Sequence, residues 1–299
     1  MASSKKEVST DKNPVTTHSR MDSAHCLAGI FQRPTTAFKQ DDRLDISYRT
    51  FHENGDEEIV TFSGKDRLND EDLKCFLGLV ALGGMQGLLL EKDEPTQSGN
   101  QLQLDLRGRF LKEMDEKKST IIKSTMDNLL KETGKTDGGK NFDSLRKSLQ
   151  KMESVSVKKI VISGQTGKPI DFPATRLLSY GYDGHDQSLF VALNPRITES
   201  ILGERQYVSH DMPDMRAISN KSTLMIWFKL CGWINFGKTG KVTTDTLIEY
   251  VWGGKPDKAS TTRQYRTRTR EAIKELENAG WLVNEYSKDK WEITRPVAC

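Results

Sequence analysis

Apolar and polar positions alternate from Leu44 to Phe51, which predicts a strand, and Glu58–Phe62 returns as its partner across the turn Asn54-Gly55. Residues 1–20 lack apolar periodicity and read as a polar tail. Leu27, Ile30 and Phe31 then form a short docking element. Asn69 or Asp70 caps a helix from Glu71 to about Leu82, with Leu73, Phe76, Leu77 and Val80 as its apolar stripe and Gly83-Gly84 as its end. Leu88–Leu90 and Gln101–Leu106 read as short strands around the polar turn Glu94–Asn100. Ser119 reads as the cap of a helix running to Glu132, and 134–139 as a turn. The next helix, Phe142–Met152, sets Phe142, Leu145, Leu149 and Met152 against Lys140, Lys147 and Lys151, the lysines within about 40° of one another. The β-branched run Val155–Ile162 and a further strand near Thr175–Leu178 follow, and the turn-rich Tyr180–Gln187 reads as a linker.

The second half repeats this plan with more charge. Ser188–Leu193 is a strand, Asn194-Pro195 caps a helix that Gly203 closes, and Gln206–Ser209 is a short strand. Leu224–Ile234 is apolar nearly all round, which makes it a core helix. Thr243 or Thr244 caps Asp245–Val251. Ser260–Gly280 is again helical. Arg266, Arg270 and Lys274 fall within roughly 60° of Arg263, while Tyr265, Ala272, Leu276 and Ala279 lie opposite. Thr261 or Thr262 caps this helix and Gly280 ends it. Trp281–Tyr286 and Trp291–Arg295 form a hairpin over Ser287–Lys290.

A basic helix followed by a basic-tipped hairpin is the plan of a winged helix: the helix fits the major groove and the hairpin reaches the neighbouring backbone. Arg263, Arg266, Arg268 and Arg270 have no acid among them, whereas a face that serves only solubility usually mixes signs. The fold class expected is therefore α+β, with two tandem winged-helix domains at 41–180 and 188–299, a linker at 181–187, and a flexible tail with a docking segment at 1–40. The expected DNA contacts are Thr261, Thr262, Arg263, Gln264, Arg266, Thr267, Arg270 and Lys274 on the helix and Lys288 and Lys290 on the hairpin. In the first half they are Lys140, Asn141, Ser144, Lys147 and Lys151.

Composition changes this picture little. The 299 residues suffice for two domains, and a formal net charge of +3 makes the basic character local. The cysteines Cys26, Cys75, Cys231 and Cys299 form no C-x-x-C pair, and the histidines are dispersed. No metal, cofactor or catalytic constellation is expected, and the scattered thiols suit a reducing cytosol. No apolar run approaches membrane-spanning length, and Lys5 and Lys6 are followed by no apolar h-region, so export is not expected. Gly232–Thr239 matches the G-x-x-x-x-G-K-[ST] pattern of a phosphate-binding loop. Its Trp233, Ile234 and Phe236 are too bulky to wrap a triphosphate, and Gly240 falls where a helix should propagate, so an NTPase is disfavoured.

Longer motifs point further. Asp22-Ser-Ala-His-Cys-Leu27, Leu189-Phe-Val-Ala-Leu-Asn-Pro195, Leu230-Cys-Gly-Trp-Ile234 with Gly237-Lys-Thr-Gly-Lys241, Tyr250-Val-Trp252 and Ile293-Thr-Arg-Pro296 resemble the IncQ-type plasmid replication initiators called RepC. The match covers most of the second half, is patchier in the first, and is slight between Glu91 and Lys151. The resemblance implies a tandem winged-helix initiator that binds direct repeats (iterons) as double-stranded DNA, helps open an A+T-rich segment, and allows loading of a plasmid-encoded hexameric helicase. Self-association is a further possible partnership, and a membrane is not expected as a partner. A transcriptional repressor would use the same groove physics and is the alternative.

Overall fold

The computed structural model describes residues 16–34, 43–86, 88–91, 118–183, 187–254, 256 and 258–297. The expected strand Gln101–Leu106 and the turn Glu94–Asn100 lie outside these residues, as does most of the polar tail. The chain opens with β1 (His18–Asp22) and α1 (Ser23–Leu27), then the hairpin β2 (Leu44–Phe51) and β3 (Glu57–Gly64) over Gly55, whose φ is 83°. Helix α2 (Asp70–Gln86) follows. Asn69 accepts from the amides of Glu71 (2.9 Å) and Asp72 (3.2 Å), and Asp72 accepts in return from the amide of Asn69 (2.8 Å), a reciprocal cap. The helix runs through Gly83-Gly84 and does not end there. A Cβ on Gly83 would sit 3.1 Å from Ile201 and 3.2 Å from Leu193, so close packing explains that glycine.

Strands β4 (Leu88–Glu91) and β5 (Lys118–Thr125) come next. The expected helix from Ser119 is thus a strand for its first half. The Ser-Thr-Ile-Ile run has β propensity and finds partners on both sides, β4 and β10 (Ser188–Leu193). The true cap is Thr125, which accepts from Asn128 at 3.2 Å and starts α3 (Met126–Glu132). Helix α4 (Gly139–Glu153) buries Leu145, Leu149 and Met152. Then β6 (Ser156–Ile162), β7 (Pro169–Asp171) and β8 (Thr175–Arg176) join the first hairpin in a sheet ordered β2-β3-β6-β7, with β8 beside β6.

Strand β9 (Leu178–Tyr182) turns back into β10, with Tyr182 opposite Leu189, in a second sheet ordered β4-β5-β10-β9. Tyr180–Tyr182, read as the start of a linker, are thus strand residues, and Ser188–Leu193 belongs to the sheet of the first half. Helix α5 (Pro195–Leu202) has the expected start and end, with Asn194 capping and Gly203 left-handed at φ 75°. Strand β11 (Tyr207–Asp211) pairs with β1, so the end of the predicted tail, His18–Arg20, lies in a strand. The chain then runs through α6 (Met212–Ala217), α7 (Lys221–Cys231), β12 (Thr239–Thr243), α8 (Thr244–Trp252), α9 (Ala259–Asn278), β13 (Leu282–Ser287) and β14 (Lys290–Thr294). These last strands form a sheet ordered β12-β14-β13.

The two halves share one order. In the second, helix α7, strand β12, helices α8 and α9, and hairpin β13–β14 close into a sheet with the hairpin's return strand in the middle. In the first, α2, β5, α3, α4 and the hairpin β9–β10 do the same, since β10 lies between β5 and β9. The sheet strands β6–β8 are an insertion between α4 and β9.

A buried ionic set joins the N-terminal segment to the frame. Arg196 on α5 donates to Asp22 (3.1 Å) and to Glu58 on β3 (2.8 Å), and all three are at most 5 % exposed at the side chain. Asp22 also accepts from His25 Nδ1 at 2.8 Å, and Arg205 reaches Glu58 at 3.2 Å. Beside it, Cys26 donates to the carbonyl of Phe228 (3.1 Å) and Lys229 to that of Leu27 (2.8 Å), which fastens α1 to α7. The Asp22–Leu27 motif is thus a structural staple. Arg196→Met should destabilise the protein by about 3–5 kcal/mol in urea unfolding, because it strands two buried carboxylates.

Burial works upward on Asp22, but the His25 hydrogen bond and Arg196 hold its carboxyl well below the usual range, and Glu58 is lowered against burial by Arg196 and Arg205. Burial keeps His25 neutral and pushes His210 down to about 3. All four groups have folded values below their unfolded ones, so the unfolded chain binds more protons in acid. Unfolding free energy should fall as pH drops below about 6.5, and further below about 4. Urea midpoints measured between pH 8 and about pH 3 check this.

Candidate nucleic-acid interface

Helix α9 is held by its apolar side. Tyr265 stacks on Trp252 of α8 with ring centroids 4.0 Å apart at 10°, and Ala272, Ile273 and Leu276 are buried. Glu275 accepts from the amide (3.0 Å) and hydroxyl (2.9 Å) of Ser219 and from the hydroxyl of Thr223 (2.7 Å), which ties the helix to the start of α7. With that face fixed, Arg263, Gln264, Arg266, Thr267, Arg268 and Lys274 are exposed on the other. The helix begins two residues before Thr261, with Lys258 at the N-cap and no side-chain cap. Thr262 instead donates to the carbonyl of Lys258 at 3.1 Å, so neither threonine is the cap; both are half-buried. Gly280 ends the helix as expected, at φ 79°.

The hairpin is anchored by Trp291, which is buried and donates through Nε1 to Thr244 at 2.9 Å. Asp289 takes the left-handed turn position, φ 59°, and Lys288 and Lys290 are exposed at the tip. Not all the arginines are equally available. Arg263 makes no ion pair among the described residues. Arg266 reaches Asp245 at 3.2 Å. Arg270 is taken up by Glu285 and Asp289, both at 3.0 Å, and hydrogen bonding to Asp289 and Glu285 raises its pKa.

In the first half Lys140 and Lys147 are exposed on α4, and Asn141 and Ser144 are half-buried. Asn141 donates to the carbonyl of Thr136 at 2.7 Å. Lys151 is turned inward to the buried Asp72 of α2 (3.3 Å). Sequence reasoning passed over Arg146, which is exposed and lies over the Tyr182 ring at 5.4 Å. It sits off the lysine stripe, and the ring it meets is 36 positions away in the chain, so no periodicity signals it.

The Gly232–Thr239 segment does not have the geometry of a phosphate loop. A strand, β12, starts where a helix should. A Cβ on Gly232 would lie 2.7 Å from Leu27 and 2.9 Å from Cys26, and one on Gly240 would collide with the Trp233 ring, so these glycines serve packing. Among the described residues no three His, Cys, Asp or Glu side chains converge to hold a metal, and no helix is long and apolar enough to cross a membrane.

The family model for replication protein C (RepC) matches residues 13–297. The chain belongs to the RepC family. It is thereby a plasmid replication initiator of the RepC type. No curated protein sequence matches it. Among solved structures, this RepC family member is similar to a selenomethionine crystal structure of domains 2 and 3 of RctB. The TM-score is 0.54 at 11% identity, covering 92% of this chain and 99% of that one. A second structure of RctB domains 2–3 aligns at TM-score 0.49 and 13% identity, over 93% and 97% of the two chains. The first likeness supports a shared mixed α/β fold.

Proposed function

We propose that the protein initiates plasmid replication by reading double-stranded origin repeats with two tandem winged-helix units. The observation that carries this reading is the repeated order of helix, strand, two helices and hairpin, with the return strand central in both sheets. In each unit the second helix of the pair enters a major groove and the hairpin follows the backbone. The first unit closes with β9–β10, and this strand pair takes the place of the wing. On α9, Arg263, Gln264, Arg266 and Thr267 meet base edges or phosphates, with Thr261, Thr262 and Lys274 flanking them and Lys288 and Lys290 on the backbone. On α4, Lys140, Asn141, Ser144 and Lys147 take the corresponding role, and Lys151 supports it from behind.

Binding to successive repeats would bend the origin and lower the cost of opening an adjacent A+T-rich segment, where a plasmid-encoded helicase is loaded. No bond chemistry by this chain is needed for that. The test is a salt series of binding to the plasmid's own origin repeats. Arg263→Ala should weaken specific binding by about 1–3 kcal/mol if it reads a guanine, and Lys290→Ala should reduce the salt slope by about one. Unchanged affinity in Arg263→Ala, Gln264→Ala and Arg266→Ala would remove α9 from the groove.

A further inference from the structure

Arg270 lies on the cationic stripe of α9, yet its side chain points at the hairpin. One terminal nitrogen donates to Glu285 at 3.2 Å, and the other donates to Glu285 and to Asp289, each at 3.0 Å. Three of its four terminal N–H groups are therefore engaged, which leaves no free fork for a base edge. The acceptors are themselves locked. The amide of Asp289 donates to Glu285 at 2.9 Å, and the carbonyl of Asp289 accepts from the amide of Thr244 at 3.0 Å. Between Glu285 and Ser287 the strand register shifts, next to the residue Arg270 holds. The guanidinium also lies 5.6 Å from the Trp291 ring centre.

The first half carries the same contact with different chemistry. Arg146 on α4 lies over Tyr182 of β9, the strand that matches β13 in sheet order. By contrast, Arg266 reaches Asp245 on the supporting helix, and Arg263 is exposed and makes no ion pair among the described residues.

We propose that Arg270 is a positioning residue: through Glu285 and Asp289 it sets the angle of the β13–β14 hairpin against α9, so that Lys288 and Lys290 reach the DNA backbone, and it does not itself touch DNA. This rests on α9 being the groove helix. The two accounts of Arg270 predict opposite signs for Glu285→Gln. That change removes a negative charge beside DNA and frees the arginine, so a contacting Arg270 would bind repeats more tightly. A positioning Arg270 loses its anchor, and binding weakens.

The experiment uses the full chain and an origin repeat, with hydroxyl-radical footprints and salt slopes for Glu285→Gln, Arg270→Met, Arg270→Lys, and Lys288→Ala with Lys290→Ala. Glu285→Gln should weaken binding roughly tenfold and lower the salt slope by about two, the loss of both lysine–phosphate contacts. Protection should vanish at the hairpin's backbone positions and persist under α9. Arg270→Lys, which keeps the charge without the planar fork, should match Arg270→Met. The paired lysine changes should cost nothing further in the Arg270→Met background. Tighter binding by Glu285→Gln, or additive losses from Arg270 and the lysines, overturns the assignment. If Arg263→Ala is also neutral, the groove reading falls with it; if Arg263→Ala weakens binding while the losses add, only the positioning role falls.

Discussion

Arg196 placed between Asp22 and Glu58 is the constraint on which the rest of the molecule depends. Taking three charges out of water is expensive, and the cost is met only because each partner is oriented and hydrogen-bonded. The arrangement is useful for what it joins. Asp22 ends β1, which pairs with β11, and leads into α1, which is fastened to α7; Arg196 and Glu58 belong to α5 and β3 of the first half. The N-terminal segment is thus a tie between the elements that carry the two candidate reading heads.

A second set of charges acts in the same direction. Helix α2 starts with Asp70, Glu71 and Asp72, which suit its positive N-terminal end. Lys221 of α7 reaches Asp70 at 2.8 Å, Lys135 from the turn after α3 pairs with Glu71, and Lys151 of α4 pairs with Asp72. One helix end therefore contacts the second half, the first turn and the first candidate recognition helix together. Lys221 is half-exposed, so its pair with Asp70 adds little stability alone. Their joint effect is orientational: α4 and α9 are mounted on a common support.

Much of this was legible in the sequence, and the failures share a cause. The two-faced pattern of α9 and the caps at Asn194 and Thr243 are local features, and each appears where the residues place it. The linker expected at 181–187 begins inside a strand, because turn-forming residues nearby do not show that Tyr182 pairs with Leu189. Lys118–Thr125 was misread because Ser119 is an equally good helix cap or strand residue until β4 and β10 supply partners. The β12 strand begins at the last residue of a motif that looks like a phosphate loop. The exposure of the basic face followed from periodicity, but the partners of Arg270 lie 15 and 19 residues away and no period reaches them. Local signals gave the elements and the charged face; non-local pairing decided which charges are free.

The central claim is that two reading helices are held at one separation before DNA arrives. Pulsed electron-spin distance measurement tests it most directly. Gln150 on α4 and Glu277 on α9 are exposed and suit spin labels once Cys299 is replaced by serine, since Cys26, Cys75 and Cys231 are buried. The account predicts one narrow distance distribution in the free protein that is unchanged on adding an origin repeat. A broad distribution, or a new distance appearing only with DNA, would contradict it.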